Sequence, residues 1–150
     1  MPNTPDTLPQ PPRLDNQLCF AVHSAALAFQ RFYKPMLAAL GLTYPQYLVL
    51  MVLWERDTLT VSGIGEQLLL DSGTLTPLLK RLEAMGYVTR RRDAADERQV
   101  LVSLTDAGRA LEQVATSFPG RILEASACTA EELDGLRQSL FALRRQLDAA

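Results

Sequence analysis

Two thiols, Cys19 and Cys128, bound the chemistry open to this chain, for they are the 2 cysteines it contains. A four-cysteine zinc site is excluded, and the single imidazole, His23, leaves too few soft ligands for most other metal sites. No metal and no cofactor is expected. A pair of thiols can still do redox chemistry, or be buried as small apolar residues, and on a largely apolar helix Cys19 reads first as the latter. The phenols of Tyr33, Tyr44 and Tyr47 read, from residue type alone, as ordinary packing residues with a polar tip. A different chemistry is concentrated between Lys80 and Arg98. Six cations (Lys80, Arg81, Arg90, Arg91, Arg92, Arg98) face four anions (Glu83, Asp93, Asp96, Glu97) there. That local excess, in a chain of net charge −2, argues against indiscriminate polyanion binding but leaves one patch able to grip phosphate.

The elements that must carry these residues follow from periodicity. At 150 residues, 47% hydrophobic and 21% charged, the chain is one soluble globular domain or one subunit of an oligomer. Residues 1–13 hold five of the 9 prolines and no apolar run, so they are expected to be a disordered or loosely packed tail rather than a signal peptide. Residues 35–54 carry no charge, but Gly41, Thr43, Pro45 and Gln46 interrupt them, and the apolar remainder is too short to span a bilayer. A cytoplasmic protein with no membrane contact is expected.

From Leu14 to Leu40 apolar residues recur at steps of three and four, predicting a helix that Pro35 should kink or divide and Gly41 should stop. Thr43-Tyr44-Pro45-Gln46 opens a helix running to about Arg56, and Asp57–Thr60 reads as a short polar connection. Thr60 or Ser62 caps a short helix through Leu69. Asp71-Ser72-Gly73 then turns into a helix with Leu75, Leu78, Leu79, Leu82 and Met85 on one face, closed by Gly86. Two such helices around a tight turn make a helix-turn-helix over Val61–Met85. Next come two short β-type runs, Tyr87–Arg91 and Gln99–Leu104, around a charged loop that forms a wing. Thr105 starts another helix, which Pro119 interrupts or ends, and Thr129-Ala130-Glu131-Glu132 is a capping box opening the last one.

The expected fold is therefore mainly α with a small β-hairpin wing, a winged helix-turn-helix. Residues 43–105 would form the DNA-binding region and residues 14–42 and 106–150 a helical dimerisation region, all in one continuous domain. The partner expected is double-stranded DNA. Ser72, Gly73, Thr74 and Thr76 would meet base edges or phosphates, with Lys80 and Arg81 on phosphates and Arg91 and Arg98 on the wing. Asp96, two residues before Arg98, would hold that side chain extended. The first and last helices carry apolar stripes outside the winged-helix core, and self-association into a twofold dimer would bury them and present two recognition helices to a palindromic operator.

The run Leu68-Leu69-Leu70-Asp71-Ser72-Gly73-Thr74-Leu75-Thr76-Pro77-Leu78-Leu79-Lys80-Arg81-Leu82-Glu83, then Gly86-Tyr87-Val88-Thr89-Arg90, resembles the MarR family of winged-helix repressors. Asp96-Glu97-Arg98 and Leu104-Thr105-Asp106-Ala107-Gly108 match its wing and the helix that follows. More narrowly, Asn16-Gln17-Leu18-Cys19-Phe20, Tyr33-Lys34-Pro35 and Thr43-Tyr44-Pro45-Gln46-Tyr47 are similar to the OhrR branch, the organic hydroperoxide sensors. The likeness runs from Leu14 to the C-terminus. It implies a dimeric repressor released from DNA when an organic hydroperoxide oxidises Cys19. Tyr33 and Tyr44 would be the phenols bonded to that thiol, Cys128 the resolving cysteine of an intersubunit disulfide, and Arg98 the wing-tip arginine in the minor groove with Asp96 as its partner.

Geometry constrains that implication. Cys19 and Tyr33 are 14 residues apart, about 21 Å along a straight helix, so they cannot meet within one helix. They meet if two first helices run antiparallel across a dyad. Two other readings stand beside this one. The first is a MarR-like repressor released by a small apolar or aromatic ligand in the dimer cleft, with both cysteines incidental. The second is a thiol peroxidase, against which the strand-poor, non-thioredoxin pattern argues.

Overall fold

Side-chain caps set where the helices begin. In the computed structural model, which describes residues 11–150, Thr43 and Gln46 exchange hydrogen bonds: Gln46 Oε1 accepts the Thr43 N–H at 2.9 Å and Thr43 Oγ1 accepts the Gln46 N–H at 3.4 Å. This reciprocal cap opens a helix and explains why Gln46, 2% exposed, is a buried polar residue at no cost. Thr60, Asp71 and Thr105 cap through a single acceptor, and Thr129 forms a full capping box with Glu132. Each such cap stabilises its helix by about 1 kcal/mol.

The resulting helices are α1 (Leu18–Ala38), α2 (Tyr44–Glu55), α3 (Val61–Leu68), α4 (Ser72–Ala84), α5 (Asp106–Ala115), α6 (Phe118–Ser126) and α7 (Ala130–Asp148). Three strands, β1 (Leu59–Thr60), β2 (Val88–Arg92) and β3 (Val100–Leu104), form an antiparallel sheet in the order β1-β3-β2. Leu59 pairs with Val102, and Arg90 faces the same Val102 from the other side.

Several expectations need correction. Pro35 does not divide α1, which continues through it to Ala38. The helix ends where Gly41 takes a left-handed φ of 72° and Leu42 N–H bonds back to the Leu37 carbonyl. At its other end a separate 3₁₀ turn, Leu14–Asn16, precedes an extended Gln17 instead of continuing into the helix. The polar connection Asp57–Thr60 contains a strand, because Leu59 and Thr60 complete the sheet edge along β3. Pro119 sits in the first turn of α6 and so begins a helix rather than ending one. Met85, placed on the apolar face of α4, is 37% exposed. Of the tail expected over residues 1–13, residues 1–10 lie outside the described residues.

The chain divides into a first compact unit ending at Leu50 and a second from Met51 to Ala150. The second unit holds the winged helix: α3 packs on α4, α4 on β2, and α5 on β3. Ile64, Leu75, Leu79, Leu82, Val88 and Val102 are fully or almost fully buried there. Asp57 ties this unit together, its carboxylate accepting the Thr58 N–H at 2.8 Å and the Leu104 N–H at 2.9 Å while also pairing with Arg109. No helix among the described residues is long and apolar enough to cross a membrane.

Candidate nucleic-acid interface and thiol site

Cys19 is the second residue of α1, and it is exposed and free; Cys128 is likewise exposed and free. Neither is therefore a small buried hydrophobe within the single chain, and His23, one turn after Cys19, is also exposed. Cys128 lies between Ala127, in the left-handed region at φ 56°, and the Thr129 cap of α7. Its N–H donates to Ser126 Oγ at 3.2 Å and its thiol to the Ser126 carbonyl at 3.4 Å.

At the far end of α1 an aromatic cluster assembles from α1 and α2. The Tyr33 ring centroid is 5.5 Å from Tyr44 and 5.4 Å from Tyr47. Burial raises the Tyr33 phenol, the neighbouring Tyr44 raises it further, and a hydrogen bond with Tyr47 pulls it back down. Burial likewise raises Tyr44 and, most strongly, Tyr47, which its contacts with Tyr33 push up further. Tyr33 and Tyr47 therefore share a hydrogen bond within the cluster. Tyr47, 4% exposed, reads from its residue type as an ordinary packing residue, and its contact with Tyr33 brings it to the site. Beside the cluster opens a cavity of about 460 Å³, lined among others by Leu27, Arg31, Lys34, Leu42 and Tyr44. Among the described residues no group of three or more His, Cys, Asp or Glu could hold a metal.

In the second unit α3, a three-residue turn and α4 form the helix-turn-helix. Leu69 makes the turn at a left-handed φ of 59°, and Asp71 Oδ1 accepts the Thr74 N–H at 2.7 Å to start α4. That bond holds the Asp71 carboxyl below its ordinary range. Ser72, Gly73 and Thr74 are exposed on the first turn, Thr76 is half-buried, and Lys80 and Arg81 are exposed further along. Arg91 is exposed on β2. Arg98, its side chain 90% exposed, stands in the loop between β2 and β3 with its Nε 3.1 Å from Asp96 Oδ1. Asp96 also accepts the Arg98 N–H, so one carboxylate fixes both backbone and side chain of that loop. Those bonds hold Asp96 below the usual carboxylate range. Two residues outside the expected set join α4 to the wing. Glu83 accepts the Arg90 guanidinium at 3.0 Å and the Arg90 N–H at 3.1 Å, and the pairing lowers its carboxyl.

This chain matches a family model, Transcriptional regulator SarA/Rot, over residues 31–113. It is 50% identical over 135 residues to the organic hydroperoxide resistance transcriptional regulator of Bacillus subtilis (strain 168), covering 90% of this chain and 92% of that protein. Among solved structures, reduced AbfR bound to DNA superposes with a TM-score of 0.78 at 39% identity, over 91% of this chain and 94% of that one. AbfR comes from Staphylococcus epidermidis. A disulfide-formed AbfR superposes less closely, with a TM-score of 0.63 at 42% identity, over 87% and 92% of the two chains.

Proposed function

The chain belongs to the MarR family of winged-helix transcriptional regulators, on the branch of the organic hydroperoxide regulators, and we propose that it is a redox-switched repressor. Reduced, as a homodimer in the cytoplasm, it holds a palindromic operator; oxidised at Cys19 by an organic hydroperoxide, it lets go. The observation that carries this reading is the separation within one chain of an exposed thiol and a phenol cluster at opposite ends of α1. Two antiparallel α1 helices about a dyad bring Tyr33 and Tyr44 to Cys19 of the partner subunit.

The chemistry balances in two steps. The Cys19 thiolate attacks the terminal peroxide oxygen, the O–O bond breaks, and the leaving alkoxide takes a proton to become an alcohol. The phenols supply hydrogen bonds to the thiolate and to the developing alkoxide. The product is a sulfenic acid. The Cys128 thiol of the partner subunit then attacks the sulfenic sulfur, a disulfide forms, and water leaves. The sulfur pair has lost two electrons and the peroxide has gained them.

On DNA, α4 enters the major groove with Ser72, Gly73, Thr74 and Thr76 leading, and Lys80 and Arg81 on phosphates. Arg98 reaches the minor groove, Asp96 keeps it extended, and Arg91 adds charge along the strand. The link to the thiols is mechanical. Closing a disulfide at Cys128 must disturb the turn that places it ahead of α7, and a dimer braced differently no longer spans two half-sites.

A second reading is favoured by the cavity beside Tyr44, whose apolar lining with Arg31 and Lys34 suits a small amphipathic acid. One experiment separates the two. Reduced protein is treated with one equivalent of cumene hydroperoxide, operator binding is measured, and the products are run on a non-reducing gel. Loss of binding with a dimer-sized band is expected for the wild type. Cys128→Ser should show no such band, and Cys19→Ser should keep binding throughout. Intact binding with both thiols free would sink the redox reading and leave the ligand-released repressor.

A further inference from the structure

A cleft of about 230 Å³ lies in the winged-helix unit, with Ser62, Ser72, Thr76, Arg90, Arg98 and Gln99 among its lining residues. It opens between the first turns of α3 and α4 on one side and the wing on the other. Arg90 is the charged group built most firmly into it. Glu83 holds one guanidinium nitrogen and the backbone N–H of Arg90. Yet Arg90 Nε is buried and has no hydrogen-bond partner in the described residues. A buried guanidinium N–H without an acceptor is costly, and it invites an oxygen acceptor.

We infer that this cleft is a seat for one backbone phosphate of the operator, with Arg90 as the residue that binds it. The inference rests on the DNA-binding reading above. With α4 in the major groove and Arg98 in the adjacent minor groove, the strand separating those grooves has to cross between α4 and the wing. The cleft lies at that crossing. A phosphate there accepts from the Arg90 guanidinium and from the hydroxyl and amide donors of Ser62, Thr76 and Gln99. Glu83 keeps the fork fixed before DNA arrives, so no side-chain freedom is lost on binding.

The test uses a duplex enriched from random-sequence DNA by repeated selection on the reduced full-length protein. Single phosphates along each strand are replaced by uncharged methylphosphonate. In each half-site one replacement should weaken wild-type binding about tenfold, and the same replacement should cost Arg90→Gln less than about twofold. The slope of log affinity against log salt should fall by about one per subunit in Arg90→Gln. Glu83→Gln, which loosens the pair but keeps the Arg90 charge, should remain sensitive at that phosphate. Gln99→Ala and Ser62→Ala, which leave the Glu83–Arg90 pair intact, should each lose about threefold, at that phosphate alone. An Arg90→Gln protein as sensitive as the wild type at every phosphate would overturn the site and leave Arg90 as a brace for the wing. Should Arg90→Gln not fold, Gln99→Ala and Ser62→Ala with unchanged phosphate profiles would overturn it equally. A reduced protein that enriches no duplex overturns the DNA reading itself, and this site with it.

Discussion

At the scale of single residues, the proposed thiol site turns on how its phenols are held. Tyr33, Tyr44 and Tyr47 all sit in segments shared with hydroperoxide regulators, but the resemblance assigns a role only to Tyr33 and Tyr44, and nothing in composition or spacing distinguishes Tyr47 from a core aromatic. Its role depends on a hydrogen bond between side chains 14 positions apart, Tyr33 and Tyr47. Such a contact exists only once α1 and α2 are folded together. The hydrogen bond with Tyr47 offsets part of the rise that burial gives the Tyr33 phenol, and in the proposed chemistry it holds that hydroxyl in place for the developing alkoxide. Tyr47→Phe removes the hydroxyl and keeps the ring, which is almost fully buried. Oxidation of Cys19 by cumene hydroperoxide should then slow about fivefold, the worth of one ordinary hydrogen bond, with reduced-state DNA affinity unchanged. Stopped-flow loss of the thiol against a DNA titration separates the two effects. An unchanged oxidation rate would remove Tyr47 from the chemistry.

At the scale of elements, most of the winged helix can be read from local signals, because caps and breakers act within four residues. Thr60, Asp71, Thr105 and Thr129 open their helices in both the sequence reading and the structure. What local signals miss is set by distant partners. Strand β1 is two residues long and becomes a strand only by pairing with Val102 and Leu101 across the fold. The turn between α3 and α4 rests on Leu69 in a left-handed conformation where glycine would be expected, and no propensity announces that. Gly108 shows the same dependence in energetic form. It lies in the first turn of α5, where a Cβ would come within 2.1 Å of the Tyr87 carbonyl oxygen and 3.0 Å of its carbon. Both are backbone atoms and cannot swing away. Its own carbonyl accepts the Trp54 indole N–H at 3.0 Å, so shifting α5 to make room strains that bond too. Gly108→Ala should therefore cost about 2–3 kcal/mol by chemical denaturation, although alanine is the better helix former. A midpoint equal to that of the wild type would mean that α5 moves freely on the sheet.

At the scale of the whole molecule, the outer helices have no reason to be stable alone. Of the 21 residues of α1 only Leu37 is buried, and α7 buries none of its 19. Leu18, Phe20, Val22, Leu27, Phe29 and Phe32 are exposed on α1, as are Leu136, Leu140, Phe141 and Leu147 on α7. A monomer does not leave so much apolar surface in water. A second copy is the occupant that explains most, because a twofold axis lets one surface bury itself and lets Cys19 reach phenols about 21 Å away along its own helix. One substitution should therefore remove three properties together. Phe29→Glu places a charge on the exposed face of α1, where Phe29 is 45% exposed in the single chain and would be covered in the proposed dimer. Sedimentation at micromolar concentration should show monomers. Operator affinity should fall at least about 100-fold, since two recognition helices no longer bind as one unit. Oxidation of Cys19 should slow as well, because in the proposed dimer its phenols come from the other subunit. A monomer that still oxidises at the wild-type rate would place all the thiol chemistry within one chain, and the separation along α1 would then have to be closed by a movement of the helix itself.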